Sequence, residues 1–515
     1  MLILMGLLFI TSSFAAEDLD KAKLDKILPQ FEQYAQKSMK DWQVPGMSIV
    51  IVQGDKVVYI KSFGVKKIGT QEPVDVNTVF QIGSISKSFT AALGAVLVDQ
   101  GKIKWKDEVI DYYPGFITSD PVVTREFMFQ DLFAQDSGLP AHIGDTQAIL
   151  GYSADQILNA LRYYKPEASF RSEFAYQNIF FVAASRVMQN ITHKDWTTLL
   201  NENIFGPLEM KSSTTTSAAL DSAPDHAALH QTQNGKVVAL APNYEGKEFI
   251  YTMGPGGGIN SNIKDMANYL ILMLNNGKFK DKQIISPDNL HYMWSPKTIV
   301  KEMGGRWSFY GLGWVYTQNN PSPIIWHNGA SLGHKAVIAF SPDQKIGIVV
   351  LSNLQSTQMP DAVAMEFLDM VMGNPNQDWS ARMLKSQLQA QKNTAQLSQE
   401  ENLSITKREK TVSAGESTSL PLENYVGIYN NPVYGNIDIK ADGKKLYMII
   451  GPNKTRMDIE PLFRDIFRLH WAGAGDDLDS GNDKVRFVVD TDGQAKLINI
   501  EFFKDAAGGF FKRVS

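Results

Sequence analysis

The sequence Phe80-Gln81-Ile82-Gly83-Ser84-Ile85-Ser86-Lys87 carries an S-x-x-K motif where a short apolar strand end passes through a glycine into a helix. Ser84 and Lys87 stand at positions i and i+3, so the lysine amine can reach the serine hydroxyl on one helical face. A serine hydroxyl becomes a good nucleophile when a base takes its proton, and lysine can be that base when its pKa is lowered. A helix is predicted after the motif by apolar residues at helical spacing: Phe89, Leu93, Val96 and Leu97. The motif therefore indicates a nucleophile and its base, and a helix-capping serine followed by a solvated lysine is the simpler alternative.

The amino-acid composition excludes several kinds of reactive group and partner. The chain has 515 residues, enough for two or three domains, and a formal net charge of −5. We see no long Lys/Arg run, so nucleic acid is not an expected partner. The absence of cysteine excludes disulfides, thiol nucleophiles and cysteine metal ligands.

The N-terminus predicts export. Residues Leu2 to Ile10 form an apolar run, and Ser13-Phe14-Ala15 supplies small residues for signal-peptidase cleavage. We expect a signal peptide over residues 1–16 and a periplasmic or secreted protein. No Lys or Arg precedes the run, so a start further upstream and a retained anchor stay open. Later stretches are too short or too polar to span a membrane, so no stable membrane insertion is expected after signal removal.

Two further short motifs lie far along the chain. Tyr176-Gln177-Asn178 lies in a predicted loop before a helix, and His327-Asn328-Gly329-Ala330 lies among strand-like runs. A tyrosine in a loop is usually a packed surface aromatic, so the first motif is weak by itself. The residues from Gly329 to Gly333 also fit a G-x-S-x-G elbow, which needs a helix after the serine. The residues that follow, Lys335 to Phe340, are strand-like, and we reject the elbow.

Periodicity predicts a helical N-terminus, a β-hairpin and then mostly helices up to residue 243. The hairpin joins Met47–Gln53 to Lys56–Phe63 through Gly54-Asp55. An antiparallel sheet is predicted from four runs: Tyr310–Tyr316, Pro323–Trp326, Lys335–Phe340 and Ile346–Leu351.

The C-terminal part is expected to be separate. Composition becomes polar over residues 377–419, as in a polar helix followed by a linker. A small all-β barrel or sandwich is predicted from five later runs: Tyr425–Tyr429, Asn436–Lys440, Lys445–Ile450, Val485–Val489 and Lys496–Phe503. An acidic loop from Asp476 to Asp483 lacks the EF-hand ligand pattern, so calcium binding there is disfavoured.

Taken together, the S-x-x-K, Y-x-N and H-x-G motifs resemble the serine β-lactamase and penicillin-binding-protein superfamily. The resemblance is closest to the class C β-lactamase-like branch, which includes esterases and D-aminopeptidases, and it runs from about Leu24 to Asn353. The tail, with Tyr425-Val426-Gly427-Ile428-Tyr429, resembles the lipocalin-like domain attached to some of these peptidases.

The resemblance implies an α/β (α+β) fold, in which helices flank an antiparallel sheet and a helical subdomain is inserted. The chain would divide into a signal peptide (1–16), a hydrolase domain (17–376), a polar helix and linker (377–419) and a lipocalin-like β-barrel (420–515). It also implies no metal or organic cofactor and a small-molecule or short-peptide substrate.

The resemblance implies roles for individual residues. Ser84 would be the acylated nucleophile, Lys87 its base, and Tyr176 the group that passes the proton to the leaving group. A phenol would act as that base if nearby cations lowered its pKa. Asn178, His327 and Gly329 would bind substrate or orient these groups. The backbone N–H groups of Ser84 and Ala330 would form the oxyanion hole.

The sequence departs from that superfamily at three places. His327 stands where penicillin-binding proteins and most β-lactamases have lysine, and histidine is mostly neutral at pH 7. Gln135-Asp136 replaces the usual His-Thr before Ser137-Gly138-Leu139-Pro140, and Phe170-Arg171 replaces Pro-Gly.

We expect an exported serine hydrolase that forms an acyl-enzyme with a small amide or ester, such as a D-amino-acid-containing peptide or a carboxylic ester. A class C-type β-lactamase is the second interpretation, and a non-catalytic binder or sensor of cell-wall peptides is the third. The C-terminal domain would either cover the cleft or form a homo-oligomer.

Overall fold

A mixed α/β domain and a closed β-barrel make up the computed structural model, as the sequence predicts. The structure describes residues 21–233, 235–244, 246–303, 306–393, 396, 418–443, 445–471, 483–504 and 507–514. An eight-stranded antiparallel sheet has the strand order β2-β1-β14-β13-β12-β11-β10-β9. The predicted signal peptide and most of the acidic loop lie outside the described residues.

The strands of the large sheet are β1 (Gly46–Gln53), β2 (Lys56–Gly64), β9 (Thr298–Met303), β10 (Arg306–Tyr310), β11 (Val315–Thr317), β12 (Ile324–Ala330), β13 (Lys335–Ser341) and β14 (Ile346–Ser352). Three small ladders are formed by β3 (Phe80–Gln81) with β6 (Asn260–Ser261), β4 (His230–Gln233) with β5 (Lys236–Ala239), and β7 (Lys278–Phe279) with β8 (Lys282–Gln283).

The helices are α1 (Lys21–Asp41), α2 (Ser86–Asp99), α3 (Val109–Tyr112), α4 (Pro121–Glu126), α5 (Asp131–Ala134), α6 (Asp145–Ile149), α7 (Ala154–Ala160), α8 (Ile179–Thr192), α9 (Trp196–Leu200), α10 (Ser217–Ser222), α11 (Phe249–Thr252), α12 (Gly254–Gly257), α13 (Ile263–Leu274), α14 (Pro287–Trp294) and α15 (Met359–Met372). A further helix, α16, covers residues 379–393.

Two layers of helices cover the sheet. Helices α1 and α15 pack on one face, where Phe31 and Phe367 meet edge to face at 5.1 Å. Helix α13 covers β1 and β14 on the other face. Strands β13 and β14 are buried along almost their whole length, because both of their faces meet helices.

The segment that contains the S-x-x-K motif forms as predicted. Strand β3 ends at Gln81, a 3-10 turn covers Gly83–Ile85, and α2 begins at Ser86. Helix α2 is buried from Ser86 to Leu97, because it lies between the sheet and the helical subdomain. A helix buried on all sides holds the motif at a fixed position.

The run Tyr310–Tyr316 is not one strand, which corrects the sequence prediction. Strand β10 ends at Tyr310 and β11 begins at Val315, and between them the Gly311 N–H donates to Trp314 O at 2.8 Å. Leu312 and Trp314 are fully buried in this turn, so their apolar character reflects core packing. Strand β9, at the edge of the sheet, was not predicted.

The C-terminal part is a closed barrel of eight strands, where the sequence predicted five. The strands are β15 (Gly427–Asn431), β16 (Gly435–Asp442), β17 (Lys445–Ile450), β18 (Thr455–Phe463), β19 (Ile466–His470), β20 (Lys484–Val489), β21 (Ala495–Ile500) and β22 (Phe510–Arg513). Each strand pairs with the next, and β22 closes on β15. Aromatic side chains fill the interior, including Tyr425, Tyr429, Phe467, Phe487 and Phe511.

Across the described part of the chain, no helix combines the length and the apolar character needed to span a membrane.

Candidate active site

Ser84 and Lys87 meet at the start of α2. The Lys87 Nζ lies 3.2 Å from the Ser84 Oγ, within hydrogen-bonding distance. The same nitrogen donates to the Asn178 Oδ1 at 2.5 Å and to the Gly256 carbonyl oxygen at 2.7 Å. Ser84, Lys87, Asn178 and Gly256 come from three separate parts of the chain. The bonds to Asn178 and Gly256 hold the Lys87 amine next to the Ser84 hydroxyl.

Lys87 is fully buried. Burial lowers the pKa of Lys87 to about 7, because the charged form loses its hydration, while the charge of Asp145 opposes this effect. The amine is therefore substantially neutral near pH 7 and can accept the Ser84 proton. The glycine-dense turn at 254–258 supplies the Gly256 carbonyl, where the sequence showed only a tight turn.

Asp145 is the site residue that the sequence did not reveal. The Asn178 Nδ2 donates to both oxygens of the Asp145 carboxylate, at 2.9 Å each. His142 Nδ1 lies 3.0 Å from the Asp145 Oδ2 on the other side. Asp145 thus continues a chain of contacts from Ser84 through Lys87 and Asn178. It is the first residue of α6, 33 positions from Asn178, and no sequence motif marks it.

Tyr176 lies beside Ser84 and Lys87. Its ring centroid is 4.6 Å from the Lys87 Nζ. Burial and the charge of Asp145 raise the pKa of Tyr176 well above its usual range, although the Ser84 side chain opposes this. The phenol is therefore neutral at pH 7, which differs from the expectation of a lowered pKa, because burial has the largest effect on this group.

Gln177, between Tyr176 and Asn178, anchors this segment to the Ser137-Gly138-Leu139-Pro140 loop. Its Nε2 donates to Leu139 O at 2.8 Å and to Pro140 O at 2.9 Å, and its Oε1 accepts from the Ser137 Oγ at 2.8 Å. All of these groups are buried. The loop therefore fixes the backbone on which Tyr176 and Asn178 are carried.

The two lesser departures from the superfamily pattern have structural roles. The Gln135 Oε1 accepts from the Gln177 N–H at 2.6 Å, so Gln135 also supports the tyrosine segment. Arg171 forms an ion pair with Asp131 at 2.6 Å. Burial raises the pKa of the neighbouring Asp136 to about 6.

His327 is a neutral imidazole. It is buried on β12, where Nε2 lies 2.9 Å from the Tyr310 hydroxyl and Nδ1 lies 2.6 Å from the Asn328 carbonyl oxygen. The carbonyl accepts, so Nδ1 carries the proton and Nε2 accepts from Tyr310. Burial, with the nearby Lys87 charge, lowers the pKa of His327 to about 3. His327 therefore provides no cation at neutral pH.

Two glycines let the 3-10 turn approach the end of β12. Gly83 has φ +54°, and a Cβ there would lie 2.5 Å from the Ala330 nitrogen. A Cβ on Gly329 would lie 2.9 Å from the Ser84 nitrogen and would overlap the Ile82 carbonyl oxygen. The amides of Ser84 and Ala330 are thereby brought side by side, the arrangement required of a donor pair for an oxyanion.

The structure agrees with the rejection of a G-x-S-x-G elbow at Ser331. After Ser331 the chain turns and enters β13, and the Ser331 Oγ accepts from the His334 N–H at 3.1 Å. Ser331 is thus a turn residue.

Within the described residues, no group of three or more histidine, aspartate or glutamate side chains could hold a metal ion.

Comparison with known proteins extends these observations. Residues 31–368 match the family described as Beta-lactamase, and residues 411–509 match a domain of unknown function, DUF3471. Unguisins hydrolase ungD' of Aspergillus campestris is 26% identical over 478 residues, covering 87% of this chain and 86% of that protein. Protein flp of Staphylococcus aureus strain MW2 is 26% identical over 341 residues, covering 65% of this chain and 64% of that protein.

The structure of the octameric penicillin-binding protein homologue from Pyrococcus abyssi is similar over 92% of this chain and 98% of that chain. The TM-score is 0.60 and the sequence identity is 22%, which is evidence for a shared fold. The family match covers well over half of the sequence. The chain belongs to the Beta-lactamase family of serine hydrolases.

Proposed function

We propose that this protein is an exported serine hydrolase that forms an acyl-enzyme on Ser84 with a small amide or ester, such as a D-amino-acid-containing peptide or a carboxylic ester. The observation that carries the proposal is the buried Lys87 amine, which lies 3.2 Å from the Ser84 hydroxyl and has its pKa lowered to about 7. A binder would have no use for a base held at a serine in this way.

Acylation would proceed as follows. The Ser84 Oγ attacks the carbonyl carbon while its proton passes to the neutral Lys87 Nζ, and the oxyanion is held by the N–H groups of Ser84 and Ala330. The Tyr176 phenol gives its proton to the leaving amine or alkoxide as the C–N or C–O bond breaks, and Lys87 returns a proton to Tyr176. Deacylation reverses these transfers with water in place of the leaving group.

The neutral His327 favours substrates without an obligatory carboxylate. A penicillin carries a carboxylate next to its reactive ring, and a lysine at this position would provide its counter-ion. His327 is buried and has its pKa lowered to about 3, so that attraction is missing. This supports an amidase or esterase over an efficient β-lactamase. The relative from Aspergillus campestris is named as a hydrolase of unguisins, which is consistent with hydrolysis of compounds other than penicillins in this family.

Intact-protein mass spectrometry tests the proposal. The protein and its Ser84→Ala variant are each mixed with a penicillin, a p-nitrophenyl ester and a D-alanyl peptide. A Ser84-dependent adduct or turnover is expected with the ester or the peptide. Faster turnover of the penicillin would favour the β-lactamase alternative. Substrate hydrolysis that survives in Ser84→Ala would contradict the assignment of the nucleophile.

We also propose that the barrel after residue 419 forms a separate domain through which the protein self-associates. Exposed apolar side chains lie on β20 and near the C-terminus: Val488, Phe510 and Val514. The similar penicillin-binding protein homologue from Pyrococcus abyssi is octameric. Light scattering of the whole protein and of a Phe510→Ser variant tests this, since a larger mass is expected only for the former.

A further inference from the structure

The C-terminal barrel touches the catalytic domain beside the active site. Two barrel loops, 431–434 and 451–454, lie against residues 147–152. These residues are the C-terminal part of helix α6 and the three residues that follow it. Helix α6 begins at Asp145, the carboxylate that holds Asn178. The contact is therefore two to seven residues from a group of the active site.

Buried hydrogen bonds make this contact specific. The Gln147 Nε2 donates to Val433 O at 3.0 Å, and its Oε1 accepts from the Tyr164 hydroxyl at 3.0 Å. The Tyr152 hydroxyl donates to the Tyr434 carbonyl oxygen. The Gln147 side chain is 1% exposed, so its amide would be left unpaired and buried if the barrel loop moved away.

The second barrel loop adds contacts at the end of α6. The Asn453 N–H donates to Leu150 O at 3.3 Å, and the Asn453 side chain lies against the backbone of Gly151. Leu150 is fully buried between the two domains. Helix α6 has only five residues, so these contacts restrain it at its middle, through Gln147, and at its C-terminal end, through Leu150.

The first barrel loop is itself fixed. The buried Asn431 accepts from the backbone N–H groups of Val433 at 2.8 Å and Tyr434 at 3.2 Å. The Tyr434 ring lies in the barrel core, 4.6 Å from Phe503 between ring centroids. A loop held in this way can transmit the position of the barrel to α6.

We propose that the barrel supports catalysis by holding α6, and that Asp145 is the positioning residue through which this support reaches Lys87. The route is barrel loop, α6, Asp145, Asn178 and then Lys87. The inference rests on the proposed hydrolase function only for its effect on rate. Its structural part, the position of Asp145 relative to Lys87, can be measured without turnover.

The charges around Lys87 make that measurement possible. The titratable groups that face it are Asp145 from α6, Tyr176 from the segment before α8, and His327 from β12. Tyr176 and His327 are neutral near pH 7. A displacement of Asp145 therefore appears as a change in the titration of Lys87.

The experiment compares the whole protein with Tyr152→Phe, which removes only the hydroxyl bond to the barrel. Lysines are labelled with ¹³C at Cε, the Lys87 signal is assigned with Lys87→Met, and its pKa is followed by NMR. Asp145→Asn gives the reference effect, a lower pKa for Lys87. Tyr112→Phe is the matched control, because its hydroxyl bonds to Asp107 at 3.0 Å within the helical subdomain.

We expect Tyr152→Phe to lower the pKa of Lys87 by a few tenths of a pH unit. The acylation rate should fall about threefold, and KM should stay unchanged. Added to Asp145→Asn, it should cause no further shift, and Tyr112→Phe should leave both quantities at their original values. Asn453→Ala keeps the backbone N–H bond to Leu150 and removes the side chain that lies against Gly151. It should shift the pKa of Lys87 in the same direction, and it serves if Tyr152→Phe folds poorly.

A Lys87 titration unchanged in Tyr152→Phe and Asn453→Ala would overturn the proposal. Shifts that add fully to that of Asp145→Asn would overturn the route through Asp145. Absence of any Ser84 adduct in the unmodified protein would contradict the proposed function alone, since the NMR titration would still decide the positioning role.

Discussion

The carboxylate of Asp145 is joined to the amine of Lys87 through one side chain, because Asn178 donates to both oxygens of Asp145 at 2.9 Å and accepts from Lys87 at 2.5 Å. The amide fixes the lysine on the serine without bringing the negative charge into contact with it. A direct ion pair would raise the pKa of Lys87 and keep it protonated. The intervening asparagine leaves the amine able to act as a base near neutral pH.

The acylation rate should rise with pH and level off above about pH 7. Lys87 must be neutral to accept the Ser84 proton, and burial lowers its pKa to about 7. Below that value the rate should fall about tenfold per pH unit. Single-turnover acylation with a p-nitrophenyl ester between pH 5 and 9 measures this. A rate independent of pH across 5 to 8 would contradict Lys87 as the base.

His327→Gln should leave the fall in acylation rate below about pH 7 (the acidic limb of the pH profile) unchanged. The pKa of His327 is lowered to about 3 by burial, so the imidazole does not titrate between pH 5 and 8. The glutamine can still accept from the Tyr310 hydroxyl, which lies 2.9 Å from Nε2. The same single-turnover series provides the test. A shift of the limb by one unit or more would assign it to His327.

Lys87→Met should change the pH dependence of stability. The pKa of Lys87 is near 10.5 in the unfolded chain and about 7 in the fold, so the unfolded state binds the extra proton between these values. Stability of the unmodified protein should rise with pH across this window, by on the order of 3 kcal/mol between pH 7 and 10. Lys87→Met should lack this rise.

Chemical denaturation of both proteins at pH 7 and pH 10 measures the difference. Loss of the hydrogen bonds to Asn178 and Gly256 affects the variant equally at both pH values, so it cancels in the comparison. If the free energy of unfolding changed equally in the two proteins between pH 7 and pH 10, burial would not depress the pKa of Lys87.

Gly83→Ala should reduce acylation by a factor on the order of 10². The glycine has φ +54°, and the added Cβ would lie 2.5 Å from the Ala330 nitrogen, which would separate the oxyanion donors. Gly101→Ala is the matched control, because Gly101 has φ +68° with open space around it. The control should cost only about 1 kcal/mol of stability. Equal acylation rates in the two variants would count against an oxyanion hole at this turn.

Gln177→Glu should destabilise the fold by about 1–3 kcal/mol and lower the acylation rate. The side chain is isosteric, but the amide that donates to Leu139 O and Pro140 O becomes a carboxyl group facing two carbonyls. Gln71→Glu, at an exposed position, controls for the added charge. Thermal unfolding and single-turnover kinetics measure both effects. Unchanged stability would mean that the loop does not depend on Gln177.

The sequence determined the local part of the site. Ser84 and Lys87 are three residues apart, so formation of the turn and α2 is enough to bring them together. The hairpin of β1 and β2, the antiparallel pairing of β12, β13 and β14 and the all-β tail followed from periodicity and turn residues. The resemblance to a known superfamily added Tyr176, Asn178 and His327, which no local pattern connects to Ser84.

Tertiary structure decided the rest, because the remaining interactions join residues that are distant in the chain. The pKa of Lys87 depends on burial between α2, α8 and the turn at 254–258, and the pKa of Tyr176 is raised by burial at the same place. Asp145 carries no motif, since an aspartate at the start of a short helix has the same local signal wherever its side chain points. The break after Tyr310 was missed because Leu312 and Trp314 are as apolar as strand residues, although Gly311 and Gly313, the latter with φ +72°, mark the turn. Sequence alone thus specified that Ser84 and Lys87 lie together, whereas packing set the protonation of Lys87, the orientation of the two side chains and the contact with the barrel.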